Sequence, residues 1–171
     1  MNIFVSYECP IRSARVLDDV RLNKMVLELA QMLCTALRSW GATHGVDGVD
    51  LYRSTHANHP CNVWVREADG NWAWSYMHFK ALAEEYNRRT GKVHGVWTKA
   101  KGWRLPAMFK QVRPKKLKVG RTPFANCAAN SAIDLSFKHE KDVHVAYRKY
   151  LRARWRRDTR PPKCSVNYLY Q

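Results

Sequence analysis

The sequence lacks the features that would place it in a membrane, in a disulfide scaffold or in a repeat protein. No apolar run approaches the ~20 residues of a transmembrane helix, and the first eight residues have neither a basic flank nor a long apolar core. The five cysteines are widely spaced without a Cys-x-x-Cys pair, which favours reduced thiols. We therefore expect a cytoplasmic protein with no membrane partner.

Acidic residues are scarce in the C-terminal part of the chain. Only four of the 14 Asp and Glu residues follow residue 100, against 18 of the 30 Lys and Arg residues, so most of the net charge of +16 lies there. A basic region of this strength is typical of proteins that bind a polyanion, and a nucleic acid is the expected partner. With 171 residues and 46% hydrophobic content, the chain is expected to form one domain, residues 1–171, and to be a monomer.

The hydrophobic periodicity predicts a mainly α-helical fold with at most a short N-terminal strand, at residues 3–5. Apolar residues at three- and four-residue steps indicate two long helices, at residues 22–40 and 71–89. The remaining predicted elements are shorter helices at 10–19 and 140–157, a loop at 41–52 and an extended tail after residue 160.

Residues 95–121 are predicted to form a long, irregular and basic connector within the domain. Trp97, Trp103 and Phe109 alternate there with Lys and Arg residues, a mixture expected where phosphates and unstacked bases are contacted together. The connector also supplies three predicted nucleic-acid contacts, namely Lys115, Lys116 and Lys118.

The densest group of polar side chains lies in residues 56–67, a run that we interpret as a polar site on a rigid loop. Proline at position 60 is expected to block helix continuation. His56 and His59 are candidate proton-transfer groups. Asn58 and Arg66 are predicted to contact the nucleic acid.

A zinc site is the alternative interpretation of the same run. His56, His59 and Cys61 together with His94 offer suitable ligand types. Their spacing matches no familiar zinc module, however, so no metal and no cofactor is predicted.

A polar stripe on the first long helix is the second candidate site. Lys24 and Glu28 lie one turn apart and follow Arg21, so they share a face of the helix. An amine beside a carboxylate is a pair that can act as nucleophile and proton-transfer group. Asp18 and Asp19 are alternative acids, and an ordinary surface ion pair is the non-functional interpretation.

Five short stretches occur in a recognisable order. They are LDDVRLNKMVLE at 17–28, THANHPC at 55–61, EEYNRRTGKVH at 84–94, TPF at 122–124 and AYRKY at 146–150. Together they resemble the pyrimidine-dimer DNA glycosylase/AP-lyase family of the endonuclease V type, particularly its bacteriophage-encoded branch. The resemblance covers roughly residues 1–95 and 122–162, and THANHPC is its most specific part.

The resemblance implies a compact, mainly helical domain that bends duplex DNA and exposes a nucleotide for chemistry. A phage-encoded member would act in the host cytoplasm. Four further residues in the matching stretches are predicted to contact DNA, namely Arg89, Lys92, His94 and Arg148.

Two departures from the family pattern affect the expected chemistry. Well-studied members use an N-terminal amine that is freed when the initiator methionine is removed before a small residue, whereas Asn2 is too large for efficient removal of Met1. Those members also carry a glutamate directly after an arginine, where this chain has a leucine. Lys24 is therefore predicted to be the nucleophile and Glu28 the acid.

Three functions remain open at this point. Base excision at a pyrimidine nucleotide by a glycosylase/AP-lyase mechanism is the expected one. A base-modifying or base-processing enzyme on the same scaffold and a non-enzymatic DNA-binding protein are the alternatives. The His- and Asn-rich run argues against the last, since binding of the DNA backbone needs only Lys and Arg.

Overall fold

A computed structural model describes residues 1–43, 50–160 and 163–164 of the chain. These residues form seven α-helices and one two-stranded sheet, which confirms the predicted mainly α fold. Part of the predicted loop, residues 44–49, and most of the predicted tail, residues 161–162 and 165–171, lie outside the described residues.

The helices are numbered in chain order. They are α1 (Pro10–Arg15), α2 (Asp19–Ser39), α3 (Pro60–Glu67), α4 (Asp69–Thr90), α5 (Gly95–Lys99), α6 (Leu105–Val112) and α7 (Val143–Arg157). The strands β1 (Ala129–Asn130) and β2 (Leu135–Ser136) pair antiparallel. No helix among the described residues is long and apolar enough to span a membrane.

The two longest helices, α2 and α4, begin and end where the sequence provides caps. Asp18 accepts hydrogen bonds from two backbone N–H groups in the first turn of α2. Helix α4 ends before Gly91, whose φ of 70° is unfavourable for residues with a Cβ atom. Helix α4 packs against both α1 and α2, and the apolar faces join one buried cluster that extends from Ile3 to Trp155.

The N-terminal segment is not the predicted strand. Residues 3–5 are buried but have no regular secondary structure, and Phe4 has a φ of 53°. The Asn2 side chain accepts hydrogen bonds from the next two backbone N–H groups, which turns the chain instead of extending it.

Residues 95–121 are also more regular than the predicted connector. Helices α5 and α6 and a 3-10 turn at Gly102–Arg104 occupy most of its first two thirds. A proline in the first turn of α6 favours the helix, and Leu105 and Met108 bury its inner face. Phe109 stacks on Trp72 with ring centroids 4.3 Å apart, so this aromatic residue belongs to the packing of the protein.

Only the first part of the polar run at residues 56–67 is a loop; the rest, from residue 60 onward, is helix α3. Helix α3 begins at Pro60, because a proline at the first helical position has no N–H group that would need a partner. His59 is the N-cap residue, and its Nδ1 accepts a hydrogen bond from the backbone N–H of Cys61 at 3.2 Å. Similarly, α7 starts at Val143 because Asp142 caps it.

Candidate active site

A cavity of about 700 Å³ opens beside the first half of α2. The N-terminal segment, the start of α3, the chain around β1 and helix α7 form its other walls. Four of the residues predicted from the sequence line this cavity, namely Arg21, Lys24, Glu28 and His59. The fold therefore brings the two predicted sites, on α2 and before α3, to the same place.

Glu28 is the buried carboxylate of the cavity, with 9% of the residue exposed. Its Oε2 accepts a hydrogen bond from the backbone N–H of Asn2 at 2.9 Å and lies 3.8 Å from the terminal amine of Met1. Its Oε1 lies 3.5 Å from Nζ of Lys24, as the shared helix face predicted. Two primary amines therefore lie beside one buried carboxylate, which offsets the cost of burying its charge.

The two amines differ in their surroundings. The side chain of Met1 is 2% exposed, and its sulfur accepts a hydrogen bond from Nδ2 of Asn62 at 3.6 Å. The side chain of Lys24 is 68% exposed at the cavity edge. Sequence reasoning ranked the terminal amine below Lys24, yet the structure places both against Glu28.

Contacts from distant parts of the chain hold the N-terminal segment in place. Asn2 donates from Nδ2 to the backbone carbonyl of Cys127 at 3.0 Å. The ring of His78 lies 3.1 Å from one backbone carbonyl of the segment, and Arg148 donates to another at 2.7 Å. The position of the terminal amine is therefore set by tertiary contacts as well as by its own sequence.

His59 and His56 have different environments. Burial lowers the pKa of His59, and the nearby positive charge of the terminal amine lowers this pKa further, so both effects favour the neutral ring. His56 is exposed, with a φ of 46°, and its Nδ1 lies 2.7 Å from the hydroxyl of Thr55. A proton-transfer role is thus geometrically open to His59 at the cavity wall.

Two cysteines lie next to His59. Cys61 is completely buried, whereas Cys127 lines the cavity. A hydrogen bond between the two thiols raises the pKa of Cys61 and lowers the pKa of Cys127 to about 7. Sequence reasoning did not select Cys127, because nothing in the local sequence connects it with residues 56–67.

A family model described as pyrimidine dimer DNA glycosylase matches residues 1–99, more than half of the chain. The chain belongs to the pyrimidine dimer DNA glycosylase family. No curated protein and no solved structure matches it. The matched range includes Glu28 and both amines, whereas the cavity wall that contains Cys127 lies outside it.

Several arginines that were predicted to bind DNA also hold this glycosylase-family fold together. Arg21 lines the cavity but forms hydrogen bonds with Asp18 and Asp158 at 2.8–3.1 Å. Arg89 donates to Glu85 at 2.7 Å and to three backbone carbonyls at 2.8–3.5 Å. The side chain of Arg148 is engaged with the N-terminal segment, as described above. Their DNA contacts stay predictions.

The other predicted DNA contacts are not among the residues that line the cavity. His94 caps α5, and its Nε2 lies 3.0 Å from Oδ1 of Asn23. Arg66 is half-buried, and its Nη1 has no hydrogen-bond partner in the part of the chain that the structure describes. The remaining five are exposed, as a contact with phosphate requires: Asn58, Lys92, Lys115, Lys116 and Lys118.

Sequence reasoning missed the wall of the cavity opposite α2. Asn130, Lys138 and Arg154 line it, and none of them belongs to a local pattern that distinguishes it from other polar residues. Lys138 and Arg154 add positive charge to a cavity whose acid is Glu28. This arrangement favours a negatively charged ligand such as a DNA strand.

Proposed function

We propose that this chain excises a pyrimidine base from duplex DNA by a glycosylase/AP-lyase mechanism, with a pyrimidine dimer as the substrate that the family name indicates. The observation that carries the proposal is the presence of two primary amines within 4 Å of one buried carboxylate, in a cavity of about 700 Å³. A volume of this size accepts a nucleotide that has been turned out of the duplex.

The chemistry uses an amine as nucleophile and Glu28 as the proton-transfer group. The amine nitrogen forms a bond to C1′ while the glycosidic bond breaks, and the base leaves with the bonding electrons and takes up a proton. Opening of the sugar ring then gives an iminium ion, whose positive charge the Glu28 carboxylate stabilises. Removal of a proton from C2′ finally allows the bond from C3′ to its oxygen to break, which cuts the strand.

We propose the terminal amine of Met1 as the nucleophile, since it lies 3.8 Å from Glu28 and is held by the buried Met1 side chain and by the contacts of the N-terminal segment. Misplacement of a reacting group by about 1 Å can reduce a rate about a hundredfold, so a fixed amine is favoured over a mobile one. Lys24 reaches the same carboxylate from the exposed edge and stays the alternative nucleophile predicted from the sequence.

The identity of the amine can be determined by borohydride reduction of the imine with DNA that contains an abasic site, followed by peptide mapping of the adduct. We expect the adduct on the N-terminal peptide and an undiminished yield in Lys24→Met. The matched control is Lys80→Met, which removes a lysine in the equivalent pairing with Glu84 on α4.

Other results would change the assignment. An adduct on Lys24, together with loss of trapping in Lys24→Met but not in Lys80→Met, would make Lys24 the nucleophile. Absence of any trapped adduct would remove the lyase mechanism and favour a base-modifying enzyme or a non-enzymatic DNA-binding protein.

Binding to the DNA backbone can be tested independently of the chemistry. If about six phosphates are neutralised, the affinity for duplex DNA should fall by on the order of a thousandfold between about 50 and 200 mM salt. Replacing Lys115, Lys116 and Lys118 together with Ala should weaken binding of all sequences alike and reduce this salt dependence. An affinity that is independent of salt would argue against contact with phosphates.

A further inference from the structure

Three potential metal ligands meet at the wall of the cavity. The ligand atoms of His59, Cys61 and Cys127 all lie within 4.8 Å of one another. His59 and Cys127 line the cavity, and Cys61 lies behind them with no exposed surface. The imine chemistry of the terminal amine needs none of the three residues. Their proximity therefore indicates a separate role.

The backbone on both sides of this cluster is fixed. Cys61 is in the first turn of α3, where its N–H group is bonded to His59. The N–H group of Cys127 donates to the hydroxyl of Tyr147 at 3.2 Å, and its carbonyl accepts a hydrogen bond from Asn2. The two thiols are therefore brought together by rigid attachments and not by a flexible surface loop, as a preorganised ligand set requires.

We propose that His59, Cys61 and Cys127 bind a zinc ion, with the fourth coordination position open to the cavity. Thiolate and imidazole are the ligands that Zn²⁺ prefers, and three protein ligands with one open position are typical of a reactive zinc site, not a structural one. The proposal does not rest on the proposed glycosylase activity.

The distances require only a small adjustment. Ligand atoms around a tetrahedral zinc ion lie about 3.5 to 3.8 Å apart, since Zn–S and Zn–N bonds are about 2.3 and 2.0 Å long. The ligand atoms of the three residues are now at most 4.8 Å apart, so each pair has to approach by at most about 1 Å to bind the ion. Cys127 lines the cavity, so rotation of its side chain into open space can move its sulfur relative to the other two ligands.

Zinc binding would change the role of His59. Its Nδ1 now accepts a hydrogen bond at 3.2 Å from the backbone, which is long for such a bond. A bond from the imidazole to zinc would replace it or would shift the ring to its other tautomer. In the zinc-bound state His59 holds the metal and no longer transfers protons, and an oxygen atom of a substrate can reach the open position.

The test uses the full chain, purified in reducing buffer without chelator. Metal content is measured by mass spectrometry, Zn²⁺ affinity by competition with a chromophoric chelator, and the ligand set by the absorption spectrum after Co²⁺ replaces Zn²⁺. We expect one zinc per chain and a cobalt spectrum with thiolate charge-transfer bands and intense four-coordinate d–d bands. Cys127→Ser should lower the zinc affinity at least about a hundredfold, since even an outer-shell partner contributes about 10- to 100-fold.

The matched control is Cys9→Ser, which removes a cysteine that lies outside the cluster and should leave the affinity unchanged. Cys61 is fully buried, and its replacement can prevent folding, so the cobalt spectrum of the unaltered chain is the test of this ligand. Absence of stoichiometric zinc would overturn the proposal, and so would equal loss of affinity in Cys9→Ser and Cys127→Ser. A Cys61–Cys127 disulfide that forms with glutathione disulfide in place of zinc binding would also overturn it and identify a redox pair instead.

Discussion

Glu28 on α2 and Glu85 on α4 are both buried glutamates on long helices, but their partners differ. Glu85 accepts hydrogen bonds from Arg88 at 2.6 Å and from Arg89 at 2.7 Å, and guanidinium groups remain charged at all physiological pH values. Glu28 has two amines at 3.5 and 3.8 Å and borders a cavity. The short contacts between Glu85 and two permanently charged guanidinium groups stabilise the fold. The longer contacts of Glu28 leave its carboxylate and the two amines able to take part in a reaction.

Replacement of Glu28 should produce the largest effect, and the effect should be on activity. In Glu28→Gln the amide oxygen still accepts the hydrogen bond from Asn2, so we expect the free energy of unfolding to change by less than about 1 kcal/mol. Loss of the proton-transfer group should reduce the rate of strand cleavage by about a thousandfold. Cleavage of abasic-site DNA under single-turnover conditions measures this rate. A rate within about tenfold of that of the unaltered chain would show that Glu28 is not the proton-transfer group.

Replacement of Glu85 should have the opposite outcome. Glu85→Gln leaves Arg89 largely buried beside a neutral amide, and we expect a loss of about 3 kcal/mol in the free energy of unfolding. The cleavage rate per folded molecule should not change. Glu84→Gln, at an exposed neighbour, is the control and should change stability by less than about 0.5 kcal/mol. Equal stability of the two variants in urea unfolding would contradict the structural role of Glu85.

His78 is a third buried titratable group, and it supports the cavity through its contact with the N-terminal segment. Burial lowers the pKa of His78 to about 4, below the value of about 6.5 in an unfolded chain. Between these pH values the unfolded state binds a proton that the folded state does not, so stability should fall as the pH falls from about 6.5 to about 4. The total loss should be up to about 3 kcal/mol, and this group should have no effect above pH 7.

Urea unfolding over this pH range measures the slope. We expect His78→Gln to flatten it, whereas His139→Gln, at an exposed position, should leave it unchanged. A slope that is the same in the His78 variant as in the unaltered chain would assign the acid sensitivity to other groups.

The local features of this fold could be predicted from the sequence. Apolar periodicity located α2 and α4, and the shared helix face of Lys24 and Glu28 predicted their contact, because both depend on residues within a few turns of one another. The proline at the start of α3 was expected to block a helix, and the proline at the start of α6 was not used to predict one. In both cases it begins a helix, and whether a proline ends or begins one depends on the residues that follow it.

The cavity itself could not be predicted, because it depends on residues that are far apart in the sequence. Residues 3–5 have the apolar composition of a strand, but the carbonyl groups of Ile3 and Val5 bind side chains from α4 and α7, and no strand among the described residues pairs with them. Cys127 and Arg154 reach the cavity only through the packing of the C-terminal third. No local pattern carries such information.

The bond from the Asn2 side chain to the carbonyl of Cys127 has a consequence for synthesis of the protein. That contact joins residues 125 positions apart, and Arg148 holds the same segment from 142 positions away. The first residues leave the ribosome first, yet they find these partners only after α7 has emerged. A growing chain therefore carries its amines and Glu28 without a finished cavity. The proposed chemistry therefore requires a chain whose translation has passed α7.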